Sequence, residues 1–183
     1  MTSQRQLLDK FSEPVPRYTS YPTAPHFHDG VDSATARQWI AAMGAGRNLS
    51  LYVHVPYCDR LCWFCACHTK HTLKYEPVAA YLESLKHEIE TMGRLVSPDV
   101  IVTGLHWGGG SPTMLKPEDM HRLMGWLRSA FNFAEDAEIS VEMDPNDLDE
   151  ARYDALAEIG VTRASLGVQD FDSKVQKTIN RLQ

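Results

Sequence analysis

The four cysteines of this 183-residue chain, Cys58, Cys62, Cys65 and Cys67, all fall within one segment, CDRLCWFCAC. A disulfide framework spreads its cysteines to staple distant segments and needs an oxidising compartment. A group this tight reads instead as metal ligation. Cys58, Cys62 and Cys65 form C-x3-C-x2-C, a compact loop able to present three thiolates to one centre. Structural zinc prefers a closed set of four ligands, usually two pairs from separate knuckles, and His68 or His71 would have to complete such a site here. A cubane 4Fe-4S cluster takes one ligand at each of four irons. Three thiolates leave one iron open, which suits a centre that binds a small chelating ligand and passes it an electron. The spacing admits both centres and favours the cluster.

Other chemistry-bearing residues stand at regular intervals along the chain. Gly108, Gly109 and Gly110 remove three successive side chains, either for a tight turn or to let a ligand touch the backbone. Glu138, Ser140 and Glu142 alternate, so they share one face of a strand, and that face is either wet or looks into a polar cavity. Gln169 and Asp170 close a fourth apolar run. His54 and His106 sit in two further runs, are expected to face each other as core histidines, and receive no catalytic role.

The elements that must position these residues repeat in a cycle. Residues 49–55 (LSLYVHV) read as a strand running into the cysteine loop. Val78, Tyr81, Leu82, Leu85, Ile89, Met92 and Val96 form one apolar helical face over 77–96, with Pro77 suited to the first turn. A strand over 100–107, a helix over 117–131, a strand over 137–144, a helix over 148–159 stopped by Gly160, and a strand over 162–169 follow. Strands alternating with helices imply right-handed βαβ units and a parallel sheet, so the fold class is α/β. In such folds chemistry sits at the carboxyl ends of the strands. The cysteine loop, the three glycines, Glu142 with Asp144, and Gln169 with Asp170 then all share one rim. Residues 1–46, rich in Pro, Thr, Ser and aromatics, read as an extended arm with a short helix over 33–43, and residues 47–183 as the core.

Composition narrows the function. Eighteen Lys+Arg against 24 Asp+Glu give a net charge of -6, and no block of basic residues offers a footprint for nucleic acid or an anionic membrane surface. No apolar run approaches the ~18 residues of a membrane span, and the opening MTSQRQLLDKFSEP lacks the apolar stretch of a secretory signal. The expected location is the cytoplasm.

The three-cysteine spacing resembles the signature of the radical S-adenosylmethionine (SAM) enzymes, and YVHVPYCDRLCWFCAC (52–67) resembles that of the oxygen-independent coproporphyrinogen III oxidases among them. RYTSYPTA (17–24), LHWGGGSPT (105–113), EISVEMDP (138–145) and SLGVQDF (165–171) are similar to that family's segments in the same order. Ala66 stands where the family more often has Gly. Related haem-binding chaperones lack the RYTSYPTA arm and carry an aromatic residue at the position of Cys67.

The resemblance implies a partial (β/α) barrel of the radical SAM type, of which the first four βα units are present, preceded by the arm. It implies that Cys58, Cys62 and Cys65 ligate a 4Fe-4S cluster whose fourth iron is chelated by SAM, with Tyr52, Gly109 and Glu142 contacting that SAM. Phe64, Gly110, Ser111, Gln169 and Arg181 would line the site of a second SAM. Cys67 would be no ligand but either a small buried residue or a catalytic group. The implied reaction is anaerobic oxidative decarboxylation of two propionates of coproporphyrinogen III to vinyl groups in haem biosynthesis, through a 5'-deoxyadenosyl radical. An unidentified electron donor and acceptor take part, and the complete enzyme is expected to be a monomer. Arg17, Tyr18 and Tyr21 suit a tetracarboxylate macrocycle and are expected to help close the site over it. A radical SAM domain usually has six βα units, so the chain is expected to be a fragment, broken off inside a fourth helix from Asp172 with no Gly or Asn stop signal.

Overall fold

The computed structural model describes residues 4–12 and 22–183. Arg17, Tyr18 and Tyr21 therefore lie outside the described residues. The chain divides into two compact units, Met1–Ala36 and Arg37–Gln183. In the first, α1 (Gln4–Phe11) is helical where an extended arm was expected, and a 3-10 turn covers Ala24–His26. The chain passes to the second unit within α2 (Ser33–Ala41), where Asp32 Oδ1 accepts from Thr35 N at 2.8 Å at the helix start.

The second unit is built on β1 (Asn48–Val55), β4 (Ile101–Gly109), β5 (Asn132–Met143) and β6 (Arg163–Leu166). They form one sheet in the order β1-β4-β5-β6, every pair parallel. Between β1 and β4, β2 (Tyr57–Cys58) and β3 (Lys70–His71) make a small parallel ladder. The crossovers are α3 (Glu76–Leu95), α4 (Pro117–Ala130) and α5 (Glu150–Glu158), and α6 (Ser173–Thr178) follows β6. The α/β, parallel-sheet expectation is thus borne out.

Alternation along the strands sorts the two faces. Val53, Val55, Leu105, Trp107, Ile139, Val141 and Met143 point to one side. There they meet Val78, Leu82, Leu85 and Ile89 of α3, Met120, Leu123, Met124 and Leu127 of α4, and Ala155 and Leu156 of α5. α3 and α4 each supply an apolar stripe at spacings of three and four, as their sequences predict. Residues of the opposite parity, Tyr52, His54, His106, Ser140 and Glu142, project from the other face. Helical packing thus fixes the sheet from behind and leaves the polar face to chemistry.

The differences from the predicted boundaries have local causes. β5 starts at Asn132, five residues before the apolar run, because Asn132 and Phe133 pair with Ile101 and Val102 ahead of an irregularity that resumes at Gly104 and Glu138. The charged stretch between hides this in the sequence. α5 starts at Glu150 because Asp149 caps it, accepting from Arg152 N at 2.9 Å. It ends ahead of Gly160, which takes the expected left-handed turn at φ +87°. β6 stops at Leu166, so Gln169 and Asp170 follow the strand rather than close it. α6 ends at Thr178, and Asn180 adopts φ 55°, so the stop signal said to be missing is Asn180 itself.

Candidate active site

The cysteine loop leaves the carboxyl end of β1 through β2 and returns through β3, where Lys70 N donates to Pro56 O at 2.7 Å and Thr72 N to Cys58 O at 3.0 Å. All four cysteines are free thiols; Cys58 and Cys62 are half-buried and Cys65 and Cys67 exposed. Burial pushes the Cys58 thiol up to about 12, reinforced by the nearby Cys65 and Cys62 thiols. Cys62 and Cys65 thus lie near Cys58, and Cys65 N donates to Cys62 O at 3.2 Å. Cys67 N donates to Cys65 Sγ at 3.3 Å, and a hydrogen bond with Cys65 also raises the Cys67 thiol. Its exposure leaves no support for Cys67 as a small buried residue. Among the described residues no three His, Cys, Asp or Glu side chains converge on one point as a single-ion site requires.

Of the three glycines, Gly110 packs against this loop, and Gly108 and Gly109 against the sheet face. Gly109 has φ +113°, a backbone that favours glycine, and its amide donates to Glu142 Oε2 at 3.2 Å. Gly110 N donates to Val55 O and Ser111 N to Tyr57 O, both at 2.8 Å. A Cβ on Gly110 would lie 2.5 Å from Tyr57 O, 2.8 Å from its carbonyl carbon and 2.9 Å from its nitrogen, all backbone atoms. Gly110→Ala is therefore expected to push β2, and Cys58 with it, off the sheet end. The expected loss is about 1–3 kcal/mol or more of stability in urea unfolding, together with a lower iron content after reconstitution. Gly125→Ala, which meets nothing within 4 Å inside α4, should instead gain about 1 kcal/mol. Equal effects of the two would refute this account of the cradle.

On the open sheet face, Tyr52, His106 and Ser140 occupy one row across β1, β4 and β5. The Tyr52 ring lies parallel to the His106 ring, 5.7 Å between centroids and 15° between planes. His106 Nδ1 is 2.7 Å from Ser140 Oγ and its Nε2 is 3.3 Å from Glu142 Oε1. His54 Nε2 donates to His68 O at 2.9 Å, which leaves Nδ1 to accept from the Tyr52 hydroxyl at 3.1 Å. The two histidines are thus not facing core residues but flank Tyr52 on the polar face. Tyr52 itself is 58% exposed. A groove of about 350 Å³ runs past His106, Glu138, Ser140, Arg163 and Ser165, so Glu138 and Ser140 look into a cavity, whereas Glu142 lies outside its lining. A second cavity, about 480 Å³, is apolar, lies between β1 and α3, and is lined by none of the predicted site residues except Tyr52.

Two charged links that the sequence does not signal tie the loop to the rim. Arg60 holds Asp59 at 2.9 and 2.7 Å and reaches Asp147 Oδ1 at 3.4 Å, while Ser111 Oγ donates to Asp147 Oδ2 at 2.5 Å. Burial raises Asp147 above the usual carboxylate range. Arg181 pairs with Asp144 at 3.0 Å, donates to Gly167 O at 2.8 Å and to Cys62 Sγ at 3.4 Å. Ser111 and Arg181, both predicted at a second SAM site, are thus engaged inside the protein beside the loop. Phe64 is 65% exposed on the loop, and Gln169 is exposed beyond β6.

Residues 52–183 match the family model described as Radical SAM superfamily. The chain belongs to the radical SAM superfamily. Membership of the radical SAM superfamily implies a 4Fe-4S cluster and SAM, and the free-thiol loop at the end of β1 is where this radical SAM domain presents its thiols. The chain is 54% identical over 181 residues, 99% of its length, to the oxygen-independent coproporphyrinogen III oxidase of Paracoccus denitrificans. It is 42% identical over 180 residues to the protein of the same name from Pseudomonas aeruginosa. A solved structure of the Escherichia coli coproporphyrinogen III oxidase, titled a radical SAM enzyme, superposes with a TM-score of 0.86 at 41% identity over 97% of this chain. The chain spans 40% of the Paracoccus protein's length and 39% of the other two. Among the described residues no helix is long and apolar enough to cross a membrane.

Proposed function

We propose that this chain carries the cofactor-binding half of an oxygen-independent coproporphyrinogen III oxidase, which converts two propionates of coproporphyrinogen III to vinyl groups and yields protoporphyrinogen IX. One observation carries the reading. The C-x3-C-x2-C loop, with its additional Cys67, sits beside Tyr52 and Glu142 on the polar face of the sheet, in a chain 41–54% identical in sequence to relatives of that name. Three neighbouring thiols on one loop, over a floor that admits no side chain at Gly110, fit a 4Fe-4S cluster that keeps one iron for SAM. When bound, the cluster and SAM supply the radical that removes hydrogen from the β-carbon of a propionate, after which carbon dioxide and one electron leave.

In this reading Cys58, Cys62 and Cys65 hold the cluster. Tyr52, Gly109 and Glu142 meet the SAM on its open iron: Glu142 offers carboxylate oxygens to the amino group or ribose, and Gly109 gives it backbone access. Phe64, Gly110, Ser111, Gln169 and Arg181 border a second SAM, and Cys67, exposed beside Cys65, acts on the substrate side. The core over 47–183 acts with the arm over 1–46, without nucleic acid or membrane, as a cytoplasmic monomer served by an electron donor and an acceptor still to be identified.

The test is anaerobic conversion of coproporphyrinogen III by the reconstituted full-length enzyme, with methionine and 5'-deoxyadenosine counted against vinyl groups. Stoichiometric vinyl formation is expected. SAM cleavage that yields no vinyl product would overturn the assignment.

A further inference from the structure

A side chain at Gly108 would meet the Glu142 carboxylate at 2.9 Å and the Tyr52 ring at 3.0 Å. Glycine there leaves a slot that Glu142 fills from the neighbouring strand. Two donors then hold its oxygens apart: Gly109 N–H at 3.2 Å on Oε2 and His106 Nε2 at 3.3 Å on Oε1. A carboxylate only accepts, so the imidazole hydrogen belongs on Nε2. Nδ1, on the other edge of the ring, lies 2.7 Å from Ser140 Oγ. Ser140 is buried, 8% exposed, with Oγ 3.3 Å from Leu105 O. The buried hydroxyl thus anchors one edge of the ring, and the other edge presents its donor to Glu142, which can only accept. The same ring lies parallel to Tyr52.

We propose that His106 is the positioning residue of the SAM site: its Nε2–H fixes the Glu142 carboxylate and its face fixes the Tyr52 ring. The proposal rests on reading Tyr52 and Glu142 as contacts of the cluster-bound SAM. Without His106 the carboxylate keeps one backbone donor and rotates freely, so ordering it is charged to ligand binding. Outer-shell partners of this kind are worth about 10–100-fold in affinity or activity.

The experiment is SAM titration of the reduced, anaerobically reconstituted full-length enzyme, read by the change in the cluster's electron paramagnetic resonance spectrum, with iron content as the folding control. His106→Ala and His106→Asn should weaken SAM binding about tenfold or more at unchanged iron content. The asparagine amide sits near Nδ1 and serves only Ser140. His106→Gln places an amide N–H near Nε2 and should stay within about threefold of the parent. A shape-filling role would not separate asparagine from glutamine in this order. Wild-type affinity in His106→Ala, or equal losses in the Asn and Gln variants, would overturn the proposal. Glu142→Gln is the reference: if it leaves SAM binding intact, both the reading of Glu142 and the role of His106 fall. Should the vinyl assay fail while this affinity pattern holds, the substrate assignment falls and His106 stands.

Discussion

Alanine at Cys58, Cys62 or Cys65 removes the brown chromophore of the reconstituted protein, each substitution acting alone, while Cys67→Ala keeps it. A cubane that already leaves one iron to a small ligand has no thiolate to spare, so losing a second anchor exposes another iron and the cluster does not persist. Visible absorption and iron content after anaerobic reconstitution check the four variants, and vinyl formation should fall to background in the first three. Cys67 is exposed and next to Cys65, so its variant should retain iron yet lose turnover if the thiol acts on substrate. Should Cys67→Ala bleach the protein while one of the other three variants stays brown, the ligand set is assigned wrongly.

Arg181→Met should cost about 3 kcal/mol in urea unfolding. The Arg181 side chain is 16% exposed and Asp144 8%, 3.0 Å apart, and removing one partner of a buried pair typically costs 3–5 kcal/mol because the other charge stays buried. The lower end applies because Asp144 keeps the hydrogen bond from Asn146 N at 2.9 Å. Pairing Arg181→Met with Asp144→Asn removes the stranded charge and should recover most of the loss, in a double-mutant cycle. Full additivity of the two substitutions would show that the pair is not coupled. The single variant should also loosen the loop, since Arg181 donates to Cys62 Sγ and Asn180 Nδ2 to Leu61 O at 2.8 Å.

What could be read from the residues and what could not divide by the range of the interaction. The strands and helices of the core were legible because each carries its period locally, as Val78, Leu82, Leu85 and Ile89 do on α3. The rim was legible because β1 runs into the cysteine loop, β4 ends in the glycines and β5 ends at Glu142 and Met143, while Gln169 and Asp170 lie past the end of β6. α1 was not, because QRQLLDKF is too short and too polar to stand out. The Arg60–Asp147 and Arg181–Asp144 links were not, because pairing across 87 and 37 positions leaves no local trace. His54 and His106 were placed in the right strands but on the wrong face. An imidazole between apolar neighbours fits either side of a sheet, and only the register with Tyr52, Ser140 and Glu142 decides.

Strand order here is also the order of synthesis. β4, β5 and β6 begin at Ile101, Asn132 and Arg163, and each lies beside the strand made just before it in the sheet. At about 5–20 residues per second each of these units takes seconds to leave the ribosome, far longer than the microseconds in which helices form. Every new unit can therefore dock on a finished neighbour, and the sheet grows from one edge as translation proceeds. The cysteine loop comes with the first strand. Its thiols are made seconds before Glu142 and Arg181, so the nascent loop passes through an interval without the carboxylate and guanidinium that later flank it.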